Sequence, residues 1–187
     1  MRTFAAVDIN DKVRGNLEAV QRGLSDCGAS LRWIPSGNLH LTLVFLGEID
    51  RDSVDGITKR IRTSVSGTGP FVCRVKGIGY FGRKGRPRII RAGIEDGNGI
   101  LKNLQGRLTG QLVEEGLSVD KRDYVPHLTL ARVKSGRNAR ELATAIHRFE
   151  EEDFGTFRVS GVKLVESVLT PEGPVYSQAA FVPLKEG

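Results

Sequence analysis

An α+β fold is predicted for this chain by three observations: short apolar runs that switch between extended and helical periodicity, a closing pair of strand patterns across a tight turn, and one tetrapeptide that occurs twice. The tetrapeptide stands once in each half, each time on a strand pattern with a helical pattern nearby. No low-complexity tract or linker divides the halves. We therefore read residues 1–187 as one bilobal, internally duplicated domain.

Taken in order, Thr3 to Ile9 reads as a buried strand, and Asn10 or Asp11 caps a helix running to about Leu24. After the turn-rich stretch Ser25 to Gly28, Arg32-Trp33-Ile34 forms a short edge segment closed by Pro35-Ser36-Gly37-Asn38. Leu39 to Leu46 is a strong strand ending at Gly47, and Asp52 or Ser53 caps a second helix to about Ser66. A strand from Phe71 to Lys76 precedes Gly77 to Gly82, which reads as flexible chain, and Arg88 to Ile94 is the next strand. Ile100, Leu101, Leu104, Leu108, Leu112 and Val113 recur at helical spacing and predict a helix from about Gly99 to Glu115. Val125 to Val133 is a strand and Asn138 to Phe149 a helix. Two last strands, Gly155 to Val168 and Val175 to Pro183, are joined by the turn Thr170-Pro171-Glu172-Gly173-Pro174.

Bulk properties narrow the function classes. A hydrophobic content of 39%, spread in short runs, favours a globular chain over a disordered one, and no run is long enough to span a membrane. The N-terminus meets Asp8 too early for a signal peptide, so a cytoplasmic protein, read as a monomer, is expected. Cys27 and Cys73 are far apart and lack CxxC partners, which predicts two buried reduced thiols and neither a disulfide framework nor a structural zinc. The formal net charge of +6 points to an anionic partner. Its distribution does so more strongly, because Arg83, Lys84, Arg86, Arg88 and Arg91 crowd one segment while Glu150 to Asp153 form an acidic run elsewhere.

The repeated tetrapeptides are His40-Leu41-Thr42-Leu43 and His127-Leu128-Thr129-Leu130, which hold two of the three histidines in the chain. Side chains alternate faces along a strand, so His and Thr at i and i+2 share one face while the leucines point into the core. Two such units facing one groove would bring together two imidazoles and two hydroxyls. One imidazole can take a proton from an attacking water and the other can give one to a leaving oxygen. The threonines and nearby arginines can hold non-bridging phosphate oxygens. No carboxylate cluster with ligand spacing accompanies the histidines, so a two-histidine zinc site is the inferior reading and neither metal nor cofactor is expected. His147, in a helical pattern, reads as an ordinary hydrogen-bonded histidine. Gly77 to Gly82 is too irregular for a nucleotide fingerprint.

With these motifs the chain resembles the 2H phosphoesterase superfamily, and within it the RNA 2′,3′-cyclic phosphodiesterase group, also called 2′–5′ RNA ligase-like. The resemblance runs through Arg2 to Val7, Arg32-Trp33, Asn38 to Glu48, Arg86 to Gly93, Pro126 to Arg132 and Ser167 to Tyr176. Arg91 departs from it, standing where an apolar or aromatic residue is expected. The resemblance implies a bilobal fold with pseudo-two-fold symmetry, antiparallel sheets around a central groove carrying both motifs, and helices on the outer faces. It implies hydrolysis of the 2′,3′-cyclic phosphate at an RNA 3′ end to a 2′-phosphate, and 2′–5′ joining of RNA ends such as tRNA halves. His40 would be the proton donor and His127 the proton acceptor, with Thr42 and Thr129 on the phosphate. Arg132, five residues after His127, would be turned away by a regular strand. The resemblance to an HxTxxR pattern includes it as a substrate ligand, provided a bulge or the strand's end restores its direction. Phe4, Trp33 and Tyr124 are candidates for stacking on the terminal base, each with a core role as the alternative. Two rival functions share these features: a phosphodiesterase for a small cyclic nucleotide, and an RNA-binding module without catalysis, which would not need two imidazoles.

Overall fold

In β1 (Arg2–Asp8) every residue between the charged ends is buried. A strand covered on both faces shows no polar alternation, which is why Phe4-Ala5-Ala6-Val7 runs without a polar side chain. The computed structural model describes residues 1–119, 123–171 and 173–185, and the rest of the fold is built outward from this strand. After β1 come α1 (Asp11–Ser25), β2 (Leu31–Trp33), β3 (His40–Glu48), α2 (Val54–Val65), β4 (Phe71–Arg83) and β5 (Arg86–Glu95). They are followed by α3 (Ile100–Glu114), β6 (His127–Val133), α4 (Ala139–His147), β7 (Asp153–Val159), β8 (Gly161–Thr170) and β9 (Gly173–Pro183).

Among the described residues the strands form one nine-stranded sheet in the order β7-β4-β5-β6-β3-β1-β8-β9, with β2 added beside β6, and every pairing is antiparallel. The α+β class expected from the sequence is thus what the chain adopts. The order falls into two matching halves whose inner strands, β3 and β6, are those that carry the repeated tetrapeptide. They meet at a single rung, Leu41 opposite Leu128. Although β7 lies at one edge of the order and β8 near the other, only Ser160 separates them in sequence. Consecutive Cα atoms are about 3.8 Å apart, so the sheet must curl until its two ends nearly meet.

The helices are amphipathic and cover the outside. Asn10 caps α1 by accepting a hydrogen bond from the Val13 amide at 2.9 Å, and Val13, Leu17, Val20 and Leu24 form its buried stripe. Each such side chain contributes roughly 1.5–3 kcal/mol on burial, more than propensity alone can supply. The helices α1 and α4 lie on the β4–β5–β7 half, while α2 and α3 pack together over β3 and β9. Leu41, Leu43, Leu128 and Leu130 belong to one core cluster, as alternation predicts.

Four expectations are corrected. Gly77 to Gly82 is not flexible chain but the second half of β4, paired along β5 and anchored by buried Ile78. Its irregular glycines mark bulges. Gly77 has φ +72°, and a Cβ there would come within 2.4 Å of the Glu150 carbonyl. The strand expected from Gly155 to Val168 breaks at Ser160, because β7 pairs with β4 whereas β8 pairs with β1 and β9. Ser53 precedes α2 but makes no capping side-chain hydrogen bond, and a 3₁₀ turn at Arg51–Ser53 leads the chain into the helix instead. Of the two thiols only Cys73 is buried, which pushes its pKa up to about 12, while Cys27 is half-buried. In the closing turn, Glu172 lies outside the described residues.

Candidate active site

Both motif strands begin with the pattern half-buried, buried, half-buried, buried, so His40 and Thr42 share one face of β3, and His127 and Thr129 one face of β6. Alternation then breaks at the same place in each. On β3, Thr42 pairs with Ala6 but Val44 with Ala5, leaving Leu43 as an extra residue. On β6, Thr129 pairs with Arg91 but Ala131 with Ile90, leaving Leu130 as the extra one. Each extra residue is a β-bulge, and it reverses the parity of the positions after it. Phe45 and Arg132, at odd offsets from the histidines, therefore return to the histidine face and are exposed. The bulge carbonyl of Leu130 is not left bare: it accepts the Ile34 amide at 2.9 Å and Gln21 Nε2 at 3.1 Å.

The histidines are oriented by one local device. His40 Nδ1 lies 2.7 Å from the Asn38 carbonyl and His127 Nδ1 lies 2.7 Å from the Val125 carbonyl. A carbonyl only accepts, so each Nδ1 carries the proton and donates it, which leaves Nε2 as the nitrogen free to exchange protons. His40 Nε2 is 3.0 Å from Thr42 Oγ1. Among the described residues, no hydrogen bond reaches His127 Nε2. The rung at Leu41 and Leu128 sets a register with His40 on the Thr129 side and Thr42 on the His127 side.

Rings pack against both imidazoles. Phe4 stacks on His40 with centroids 4.7 Å apart, and Tyr176 meets His40 edge-on at 5.4 Å. Phe81 meets His127 edge-on at 4.9 Å, and the Arg91 guanidinium lies 4.9 Å above the same Phe81 ring. Burial holds both histidines below their ordinary value of 6.5. Their charged neighbours differ. Asp8, opposite His40 in the β1–β3 register, works against the lowering along with the Asn38 hydrogen bond, while Arg14 and His127 add to it. For His127 the Val125 hydrogen bond opposes the lowering and Arg91 adds to it.

The remaining expected ligands separate. Arg132 is on the groove face, and its charge reaches Tyr176, whose phenol is raised by burial and pulled back by Arg132 and Arg2. Phe4 is only 4% exposed and is spent on His40, not open to a base. Trp33 pairs with Ala131, whose side chain is in the core, so it lies on the face opposite Arg132 and packs against the core. Tyr124 also packs on the core and donates its hydroxyl to the Thr42 carbonyl at 3.2 Å, with burial pushing its pKa up. Trp33 and Tyr124 thus pack on the main core, whereas Phe4 packs in a second cluster with Ala6, Val165 and Tyr176 beside His40. His147 pairs with Glu150 at 2.6 Å on the surface. Residues that sequence reasoning passed over are Asn38, Val125, Gln21, Phe81 and Tyr176. Asn38 and Val125 could have been found, since each stands two residues before its histidine. The others reach the site only through long-range pairing.

The family described as the 2′-5′ RNA ligase superfamily matches residues 12–170. An RNA 2′,3′-cyclic phosphodiesterase of Methanothermobacter thermautotrophicus is 34% identical over 95% of this chain and 95% of its own. A protein of the same name from Thermotoga maritima is 35% identical over 94% of this chain and 91% of its own. Among solved structures, TT0787 of Thermus thermophilus superposes with a TM-score of 0.82 at 29% identity, covering 100% of this chain and 99% of that one. LigT of E. coli in apo form has a TM-score of 0.76 at 21% identity, over 97% of this chain and 96% of that one.

Proposed function

The chain belongs to the 2′-5′ RNA ligase superfamily, and from that premise we propose that it is an RNA 2′,3′-cyclic phosphodiesterase working by acid–base catalysis between His40 and His127. The observation that carries the reading is the pair of imidazoles on adjoining strands, each with its proton pinned at Nδ1 by a carbonyl so that Nε2 is left for chemistry. In this reading residues 1–187 act as one bilobal domain.

His127 Nε2 takes a proton from water as the water oxygen attacks phosphorus. The bond from phosphorus to the 3′ oxygen breaks, and that oxygen takes the proton of His40 Nε2. The product carries a 2′-phosphate and a 3′-hydroxyl. The Asp8 carboxylate on the His40 side favours a charged imidazole and the Arg91 cation on the His127 side a neutral one, which supports this division of roles. Thr42, Thr129 and Arg132 hold the non-bridging oxygens, as their shared face allows. The same geometry accepts a ribose 5′-hydroxyl in place of water, which would give a 2′–5′ linkage, in keeping with the superfamily's description.

Product analysis on an RNA oligonucleotide ending in a 2′,3′-cyclic phosphate tests the reading. A 2′-phosphate product, lost in His40→Ala and in His127→Ala and unaffected by EDTA, is the expected result. Full activity in either variant would sink the acid–base assignment, and loss with EDTA that zinc restores would revive the metal reading.

A further inference from the structure

Phe81 joins the His127 site to the hairpin of β4 and β5, and that hairpin carries the basic segment. Its register pairs Gly79 with Arg91, Phe81 with Ile89, and Arg83 with Arg86. Phe81 touches His127, so alternation sets Gly79 and Arg83 on the same groove-facing side as Phe81, and the pairing adds Arg91, Ile89 and Arg86. The extra residue Arg88 keeps Arg86 on that side. A line of three guanidinium groups thus leads from His127 to the hairpin tip. From Arg91 to Arg86 is five residues, roughly 16 Å at about 3.3 Å each.

Several basic side chains elsewhere are matched to acids, among them Arg51 with Glu166, Arg60 with Glu115, Arg74 with Asp153 and Lys76 with Glu151. Along this line none of the three has a carboxylate partner among the described residues. Arg83 and Arg86 are exposed. Arg91 lies in the space left by the missing side chain of Gly79, and its Nε is buried without a hydrogen-bond partner. A desolvated cation without an acceptor is costly unless an anion arrives to satisfy it. The matching hairpin of the other half, β8 with β9, ends in exposed Val168, Leu169 and Val175 and has no such line.

We propose that the groove face of the β4–β5 hairpin is the track for the body of the RNA strand, with Arg91 on the backbone phosphate nearest the reacting one and Arg83 and Arg86 on phosphates further from the 3′ end. The proposal rests on the reading of the site as one for cyclic-phosphate RNA ends, and it deepens that reading by naming the face and the residues that hold the rest of the strand.

The test compares a 2′,3′-cyclic mononucleotide with oligonucleotides of increasing length that bear the same end. The wild-type protein should show a lower KM for the longer substrates. Arg83→Gln with Arg86→Gln should remove the part of that advantage gained beyond the first backbone phosphate, raising KM for the longer oligonucleotides at least tenfold while leaving hydrolysis of the mononucleotide unchanged. The dependence of log KM on log salt should become shallower by about 1.4, from two lost single-strand phosphate contacts. Arg140→Gln with Arg148→Gln, which removes the same charge from the exposed surface around α4, should do neither. Equal KM values for short and long substrates, or equal effects of the two double variants, would overturn the track. Failure of the wild-type protein on every cyclic-phosphate substrate would instead overturn the activity itself.

Discussion

His40 and His127 occupy equivalent positions on equivalent strands, each two residues past the carbonyl that fixes its tautomer and three before a bulge. Beyond that frame their surroundings diverge. His40 is stacked on one ring, met edge-on by another, held to Thr42 and opposite a carboxylate. His127 has one ring at its edge, no hydrogen bond on Nε2 among the described residues, and a guanidinium nearby. The frame makes two interchangeable imidazoles, and the neighbours make them different. In the proposed mechanism a duplicated fold thus divides the labour of acid and base without altering either motif.

The most severe way to break the comparison is to remove each imidazole in turn. His40→Ala and His127→Ala should each lower kcat by about 10²–10⁴, the range of a lost general acid or base. A fall in only one would mean that the pair does not act together. Next in size, Arg132→Ala should cost about a hundredfold in kcat/KM, as expected for a lost donor to a charged oxygen. Phe45, its counterpart on β3, carries no charge, so Phe45→Ala should raise KM and spare kcat.

A pH profile sharpens the contrast. Because burial lowers both histidines from 6.5, kcat/KM should form a bell with its maximum below that value. His127 must be neutral to act as base, so it governs the acid limb. Arg91→Gln removes a cation that lowers it and should move that limb to higher pH. His40 must be charged to act as acid, so Asp8→Asn should move the alkaline limb to lower pH. Opposite movements would exchange the two roles. The smallest effect is expected from Gln21→Leu, which takes one of two donors from the Leu130 carbonyl: a loss of about 1 kcal/mol in stability, read from denaturant unfolding.

The range of each interaction decides whether the chain alone reveals it. Local pattern carried the two motifs, the leucines behind them, the α1 cap and the α+β class. The odd offset of Arg132 left a bulge or the strand's end to restore its direction, and the bulge at Leu130 does so. Partners brought in across the sheet were not legible: Phe81 comes from β4 and Tyr176 from β9. The direction of Trp33 depends on its register against Ala131, which an exposed-looking Arg-Trp pair does not reveal. The glycines of β4 misled because a strand that bulges uses the residues that elsewhere mark loose chain.

An extra residue in a strand acts like a frameshift in a coding sequence. Up to Thr129, every second position counted from His127 faces the groove, and after Leu130 the count is off by one. Deleting a single residue there would leave every side-chain identity intact and yet send Arg132 into the core and its buried neighbour into the groove. Position 130, whose side chain is buried, should therefore tolerate another apolar residue of similar size more readily than a change of length. The same holds at position 43, where a deletion would misplace Phe45.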